Sequence, residues 1–183
     1  MEVPFVAHED PDCLLAIAAV FAGVVVMQPD TYSVTRSITV AAPQGKVFEL
    51  INDFHKWENW SPWAKIDPKM VTDYSGAPSG TGASYHWIGN DDVGEGRMTI
   101  TSSEPINKVV IDLNFIKPFE SNAITTFQLA NAPAGGTNVT WTMSGRHNFM
   151  SKAMAVFVSM DKMIGTDFDK GLAQMKALAE SAK

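Results

Sequence analysis

The sequence predicts an α+β fold in which a long C-terminal helix covers the apolar face of a curved antiparallel sheet. Three observations lead to this prediction. Segments with alternating apolar residues follow one another, with short turns between them, from residue 71 to residue 147. Residues 150–182 are the longest segment with apolar residues at helical spacing. Residues 53–68 hold three of the five tryptophans, and side chains this large need an apolar surface to pack on.

The predicted chain order is strand, two short helices, about six strands and a long helix. Residues 31–40 are rich in β-branched residues and predict the first strand. A helix is predicted over residues 43–52, with a proline in its first turn. Residues 53–68 follow as an aromatic corner, because tryptophans three residues apart and a Ser-Pro break do not fit one helical face. Its tryptophans are Trp57, Trp60 and Trp63.

The middle of the chain predicts a meander of consecutive antiparallel strands. Each segment alternates between apolar and polar residues, and Gly, Pro, Asn or Asp lie between the segments. After a first segment from residue 71, we predict strands at 83–88, 95–103, 109–115, 122–129 and 137–147. This pattern predicts a sheet with one apolar and one polar face.

Residues 13–28 form an apolar segment without any charged residue, preceded by an acidic tail at residues 1–12. As a helix the uninterrupted apolar run spans about 22 Å, short of the roughly 30 Å of a hydrocarbon core. We interpret it as a single membrane anchor, on an undecided side of the membrane, ahead of a domain at residues 30–183. A signal peptide, for an exported protein, and a buried helix of a cytoplasmic protein are the alternatives.

Charge and composition exclude several classes of function. The net charge is −6, and the four acidic residues of the tail leave −2 for the rest of the chain, so no basic footprint for nucleic acid is present. Cys13 is the only cysteine, and no histidines have the spacing of metal ligands. The glycine pairs at 80–82 and 94–96 precede strands, which excludes a dinucleotide or phosphate loop. We therefore predict neither a metal nor a cofactor, and the sequence leaves the oligomeric state open.

The chain resembles the polyketide cyclase/dehydrase and lipid-transport family, a branch of the SRPBCC, or START-like, birch-pollen-allergen-type helix-grip superfamily. The resemblance covers about residues 31–182 and is carried by Ala42-Pro43, Val47-Phe48, Leu50-Ile51-Asn52-Asp53, Trp57-x-x-Trp60-Ser61-Pro62-Trp63, Asp67-Pro68, Tyr74-Ser75-Gly76, Gly80-x-Gly82, Gly94-x-Gly96-Arg97-Met98 and Asp167-Phe168-x-Lys170-Gly171-Leu172. It implies a seven-stranded sheet around the long helix with an apolar cavity between them. It implies no single activity, because the superfamily includes carriers, receptors, cyclases and relatives of co-chaperones.

Candidate ligand-binding residues follow from strand parity and helical spacing. We expect these side chains to face the space between sheet and helix: Tyr85, Trp87, Met98, Ile111, Phe115, Phe127, Trp141, Met143, His147, Phe157, Met160 and Ile164. His147 is also a weak candidate for a catalytic acid or base. The alternative for His147 is a histidine at a strand end, partly in solvent.

Three functions remain open from the sequence. The first is non-catalytic binding of a hydrophobic or amphipathic small molecule, such as a lipid, in an internal cavity. The second is an enzyme of the cyclase/dehydratase type that positions a reactive substrate. The third is a regulatory or protein-interaction domain with a filled core.

Overall fold

The structure, a computed structural model, describes residues 11–181. Its helices and strands are α1 Pro11–Val26, β1 Thr31–Val40, α2 Gln44–Asn52, β2 Val71–Gly76, β3 Ala83–Ile88, β4 Glu95–Glu104, β5 Lys108–Lys117, β6 Ser121–Asn131, β7 Thr137–Arg146, α3 Phe149–Ala155 and α4 Met160–Ser181. Two short 3-10 helices, Phe54–Asn59 and Pro62–Lys65, lie between α2 and β2. The predicted α+β fold class is confirmed.

The seven strands form one antiparallel sheet in the order β1-β7-β6-β5-β4-β3-β2. The strands β2 to β7 are consecutive hairpins, and β1 pairs with β7 along its whole length. Register shifts interrupt the β4–β5 pair at Glu95/Gly96 and at Ile100/Ser102. Shifts of this kind bend a strand, and the first of them lies beside the cavity described below.

Helix α4 packs its apolar side on the sheet. Its buried apolar side chains are Phe168, Leu172, Met175 and Ala179, at spacings of four and three. The Phe168 ring lies flat on the Trp141 indole of β7, with a centroid distance of 3.9 Å and an interplanar angle of 8°. This stack fixes the height of α4 above the sheet.

The single helix predicted over residues 150–182 is two helices, α3 and α4. The break contains Val156 and Val158, and β-branched residues lose side-chain freedom in a helix. The Ser159 hydroxyl then accepts a hydrogen bond from the backbone N–H of Lys162 at 3.3 Å. Such a contact satisfies a free N–H group in the first turn, which explains why α4 begins after this serine.

An ion-pair cluster holds the start of α4 on strand β1. The Arg36 guanidinium donates to Asp161 at 2.7 Å and to Asp169 at 3.2 Å. It lies across Gly165, where a Cβ atom would come within 2.1 Å of an Arg36 nitrogen. The hydrogen bond from Arg36 lowers the pKa of the Asp161 carboxyl. The cluster thereby positions the part of α4 that faces the cavity.

The prediction of a membrane anchor at residues 13–28 is wrong. None of the helices in the described residues 11–181 has the length and hydrophobicity that a membrane span requires. Helix α1 has 16 residues, which span about 24 Å. It packs against α3 instead, where Phe21 stacks on Phe157 at 6.0 Å and Val25 is fully buried. Most of the predicted acidic tail at 1–12 lies outside the described residues.

Candidate functional site

The aromatic corner is tied to the end of α2 by two indole groups. Trp57 Nε1 donates to the Ile51 carbonyl and Trp60 Nε1 donates to the Leu50 carbonyl, both at 2.9 Å. The last carbonyls of a helix have no partner within it, so these bonds satisfy groups that would otherwise be left unpaired. They also fix where the following residues of the corner lie.

The corner reaches the sheet and α4 through edge-to-face ring contacts. Trp60 is fully buried, and its ring meets those of Phe127 at 6.1 Å and Trp141 at 5.8 Å. The Trp63 ring meets Trp141 at 6.0 Å and Phe168 at 6.3 Å. These two tryptophans of the corner thus pack on aromatic residues of the core. Edge-to-face pairs of this kind are a favoured geometry for aromatic rings.

A cavity of about 300 Å³ lies between the corner, the sheet and α4. This volume is at the lower end of the range typical of small-molecule sites. The residues that line it are Trp57, Glu58, Ser61, Trp63, Ala64, Met70, Tyr85, Trp87, Asp91, Asp92, Val93, Gly94, Met98, Leu113, Phe115, Lys117, Pro118, Thr125, Trp141, Met143, Ile164 and Phe168. Four of the five tryptophans are therefore in the wall.

Two glycines of the Gly94-x-Gly96 pair allow the wall to form. Gly94 has φ of 69°, and a Cβ atom there would lie 2.3 Å from the Lys117 carbonyl oxygen. At Gly96 a Cβ atom would lie 2.4 Å from the Trp87 indole and 2.7 Å from the Asn114 carbonyl oxygen. The first glycine permits the turn between β3 and β4, and the second leaves room for the Trp87 ring.

The wall contains an indole N–H without a partner. Trp141 is 2% exposed, and its Nε1 is buried with no hydrogen-bond partner among the described residues. Buried donors of this kind are rare, because leaving one unpaired costs free energy. The nitrogen itself has almost no accessible surface, so Trp141 contributes ring surface rather than its N–H group to the wall.

Tyr85 is the titratable group most affected by its position in the wall. Burial, followed by the neighbouring Tyr74 and the Glu58 charge, raises its pKa from 10.0 to about 12. The folded protein therefore holds the phenolic proton more tightly than the unfolded chain does.

The raised pKa of Tyr85 predicts a loss of stability in alkali. The stabilisation is fully present below the unfolded pKa of 10.0 and is lost as the pH rises towards about 12. Replacing Tyr85 by phenylalanine removes this titration, so the free energy of unfolding should fall less steeply over that interval. Urea unfolding at a series of alkaline pH values measures both slopes, and equal slopes would contradict the assignment.

The rim of the cavity carries more negative than positive charge. Glu58, Asp91 and Asp92 are exposed and form no ion pair with a described residue. The one basic residue in the lining, Lys117, is paired with Glu95 at 2.7 Å. A charged group entering the cavity thus meets three unpaired carboxylates.

The structure brings seven of the twelve candidate residues to the cavity wall: Tyr85, Trp87, Met98, Phe115, Trp141, Met143 and Ile164. Ile111 and Phe127 are fully buried in the core outside the lining, and Met160 packs against that core. Phe157 is 76% exposed and lies against α1, because the break between α3 and α4 takes it off the predicted helical face.

His147 does not line the cavity. Its Nδ1 lies 3.1 Å from the Ser151 hydroxyl, and its ring contacts the Tyr32 ring at 5.0 Å. Burial, and after it the nearby Lys152 charge, lowers its pKa. These contacts tie the end of β7 to α3.

Sequence patterns missed the polar part of the site. Glu58, Asp91, Asp92 and Thr125 join the lining, although they belong to a 3-10 helix, a turn and a strand that are far apart in sequence. No local pattern relates them. Among the described residues no group of three His, Cys, Asp or Glu side chains could hold a metal ion.

Solved structures from several bacteria are similar to this chain. Protein CV1439 from Chromobacterium violaceum is 16% identical, with a TM-score of 0.56 over 83% of this chain and 99% of that chain. Protein MLL2253 from Mesorhizobium loti is 18% identical, with a TM-score of 0.60 over 83% and 99%. The Aha1 dimer from Colwellia psychrerythraea is 18% identical, with a TM-score of 0.58 over 83% and 98%. At these identities the similarity shows the fold alone.

Comparison with curated proteins finds no match to the chain. The sequence pattern of the family described as polyketide cyclase/dehydrase and lipid transport matches residues 31–180. The match runs from the first residue of β1 to the last turn of α4, so it includes every element that forms the cavity. This chain belongs to the polyketide cyclase/dehydrase and lipid transport family of the SRPBCC superfamily.

Proposed function

We propose that the protein binds a hydrophobic or amphipathic small molecule in the cavity between the sheet, the aromatic corner and α4, without catalysing a reaction on it. The observation that carries the proposal is the cavity itself, about 300 Å³ with mainly apolar and aromatic walls. Apolar concave sites with a few polar groups are typical of small-molecule binding. Family membership supports the same class of ligand.

Features of the cavity wall favour ligand binding over a protein-interaction domain with a filled core and over an enzyme. An interaction domain with a filled core would leave no such space beside its packed aromatic residues. For an enzyme of the cyclase/dehydratase type, the candidate acid or base from the sequence was His147, and His147 is not in the lining. The Tyr85 side chain in the lining offers a polar contact that orients a ligand.

The test is a titration with Nile red, a neutral apolar dye whose fluorescence rises in apolar surroundings. Wild type should bind the dye saturably. Replacing Met98 by tryptophan puts a larger side chain into the cavity, so the affinity should fall at least tenfold.

Replacing the exposed Thr101 of the same strand by tryptophan is the matched control and should leave the affinity unchanged. Thermal unfolding verifies that both variants fold. Equal dye binding by wild type and the Met98→Trp variant would place the dye elsewhere, for example on the exposed apolar surface of α1 and α3, and would refute the proposal.

A further inference from the structure

Charge and aromatic side chains meet at the mouth of the cavity. Glu58 follows Trp57 in the 3-10 helix Phe54–Asn59, and both residues are in the lining. Asp91 and Asp92 lie in the turn after β3, which brings them to the same cavity as Trp87. Tryptophan rings attract cations through their faces. The unpaired carboxylates attract cations as well.

Among the described residues, the rim has no unpaired cation to receive an anionic ligand. Lys117 is the single basic residue of the lining, and its ammonium group already contacts Glu95 at 2.7 Å. Glu95 also lies 3.3 Å from His86 Nε2, and the Lys117 side chain is 70% exposed. A carboxylate or phosphate at this mouth would face three negative charges and no unpaired positive one.

The wall itself offers polar groups to a ligand, in addition to the carboxylates of the rim. The side chains of Tyr85 and Thr125 belong to the lining. Glu58 is close enough to Tyr85 for its charge to contribute, after burial and Tyr74, to the raised pKa of the phenol. Polar contacts are therefore available at both the rim and the wall of one apolar cavity.

We propose that the cavity selects apolar ligands that carry a positively charged amine, with the ammonium group at the rim formed by Glu58, Asp91 and Asp92. This inference rests on the proposed function and names the ligand class of the same site. The aromatic wall takes the apolar body, and the carboxylates exclude fatty acids and other anions by repulsion.

Three probes with one ring system test the inference: naphthylmethylamine, which is cationic at neutral pH, naphthylmethanol, which is neutral, and naphthoic acid, which is anionic. Displacement of Nile red gives the three affinities. We expect the amine to bind roughly tenfold more tightly than the alcohol, given several weak exposed charge contacts. The acid should bind more weakly than the alcohol. Added salt should reduce the difference in affinity between the amine and the alcohol and that between the alcohol and the acid.

A variant without the three rim charges tests whether Glu58, Asp91 and Asp92 cause the preference for the amine. Combining Glu58→Gln, Asp91→Asn and Asp92→Asn should bring the affinity of the amine close to that of the alcohol, so the ratio of the two affinities is the quantity compared. The matched control combines Asp73→Asn, Glu104→Gln and Asp112→Asn. It makes the same change in net charge outside the cavity lining and should keep the preference for the amine.

The outcomes separate this inference from the proposed function. If naphthylmethanol binds but the amine is no tighter than the acid, the charge selection is refuted and the cavity remains a binding site. A rim variant that keeps the full preference also refutes it. If Nile red binds in a Met98-dependent way but none of the three probes displaces it, the inference is refuted and the proposed function stands. If neither the dye nor any probe binds, the proposed function and the inference fail together.

Discussion

Replacing Trp60 by alanine is expected to lower the free energy of unfolding by about 3–5 kcal/mol. The indole is fully buried among Trp57, Phe127 and Trp141, so its removal leaves a large hole. It also removes the hydrogen bond to the Leu50 carbonyl, which leaves a group at the end of α2 unpaired. Against a total stability of about 5–15 kcal/mol, this loss is measurable by urea unfolding.

Trp63 is the matched control for Trp60. It belongs to the same corner but is only half-buried, and its indole makes no hydrogen bond among the described residues. Replacing Trp63 by alanine should therefore cost less stability and weaken ligand binding more, since its ring is part of the cavity wall. A larger loss of stability at Trp63 than at Trp60 would contradict this description of the corner.

Replacing Gly96 by alanine should abolish binding to the cavity and lower stability by about 1–3 kcal/mol, as overpacking does. The new methyl group would lie 2.4 Å from the Trp87 ring and 2.7 Å from the Asn114 carbonyl oxygen. Because the backbone of β5 cannot easily move, the Trp87 ring must leave its position in the wall. Nile red titration and urea unfolding measure the two effects.

Gly45 provides the comparison for Gly96. A Cβ atom at Gly45 in α2 meets nothing within 4 Å, so alanine there should be neutral or stabilising by about 0.5–1 kcal/mol. Dye binding should be unchanged in this variant. Unaltered binding in the Gly96→Ala variant would mean that Trp87 does not shape the site.

The sheet and its order could be predicted because the signals are local. Alternation over each strand and short turns between strands determine a meander, and the predicted first strand coincides with β1 Thr31–Val40. The same reasoning identified the cavity face of β7, since Trp141 and Met143 have the parity of a buried face. Side chains on one strand need no tertiary information to be assigned to one face.

The predictions from sequence were wrong or incomplete where contacts between distant residues determine the structure. The apolar composition of α1 favoured an anchor in spite of its short length, because the contact of Phe21 with Phe157 is not visible in the sequence. The helix break at Ser159 depends on the hydrogen bond that caps α4. The apolar spacing of residues 150–182 continues through this break and gives no sign of it. The acidic rim could not be predicted, because Glu58 and the aspartates meet only when the corner folds over the β3–β4 turn.

The most direct test of the central claim follows the five tryptophan indole N–H signals in a nitrogen–proton correlation spectrum during titration with naphthylmethanol. Trp57, Trp63, Trp87 and Trp141 line the cavity, whereas Trp60 lies behind them with its N–H bonded to the Leu50 carbonyl. We expect saturable shifts of the Trp87 and Trp141 signals and a smaller shift for Trp60. Saturable binding that leaves the signals of all four wall tryptophans in place would contradict a ligand site in this cavity.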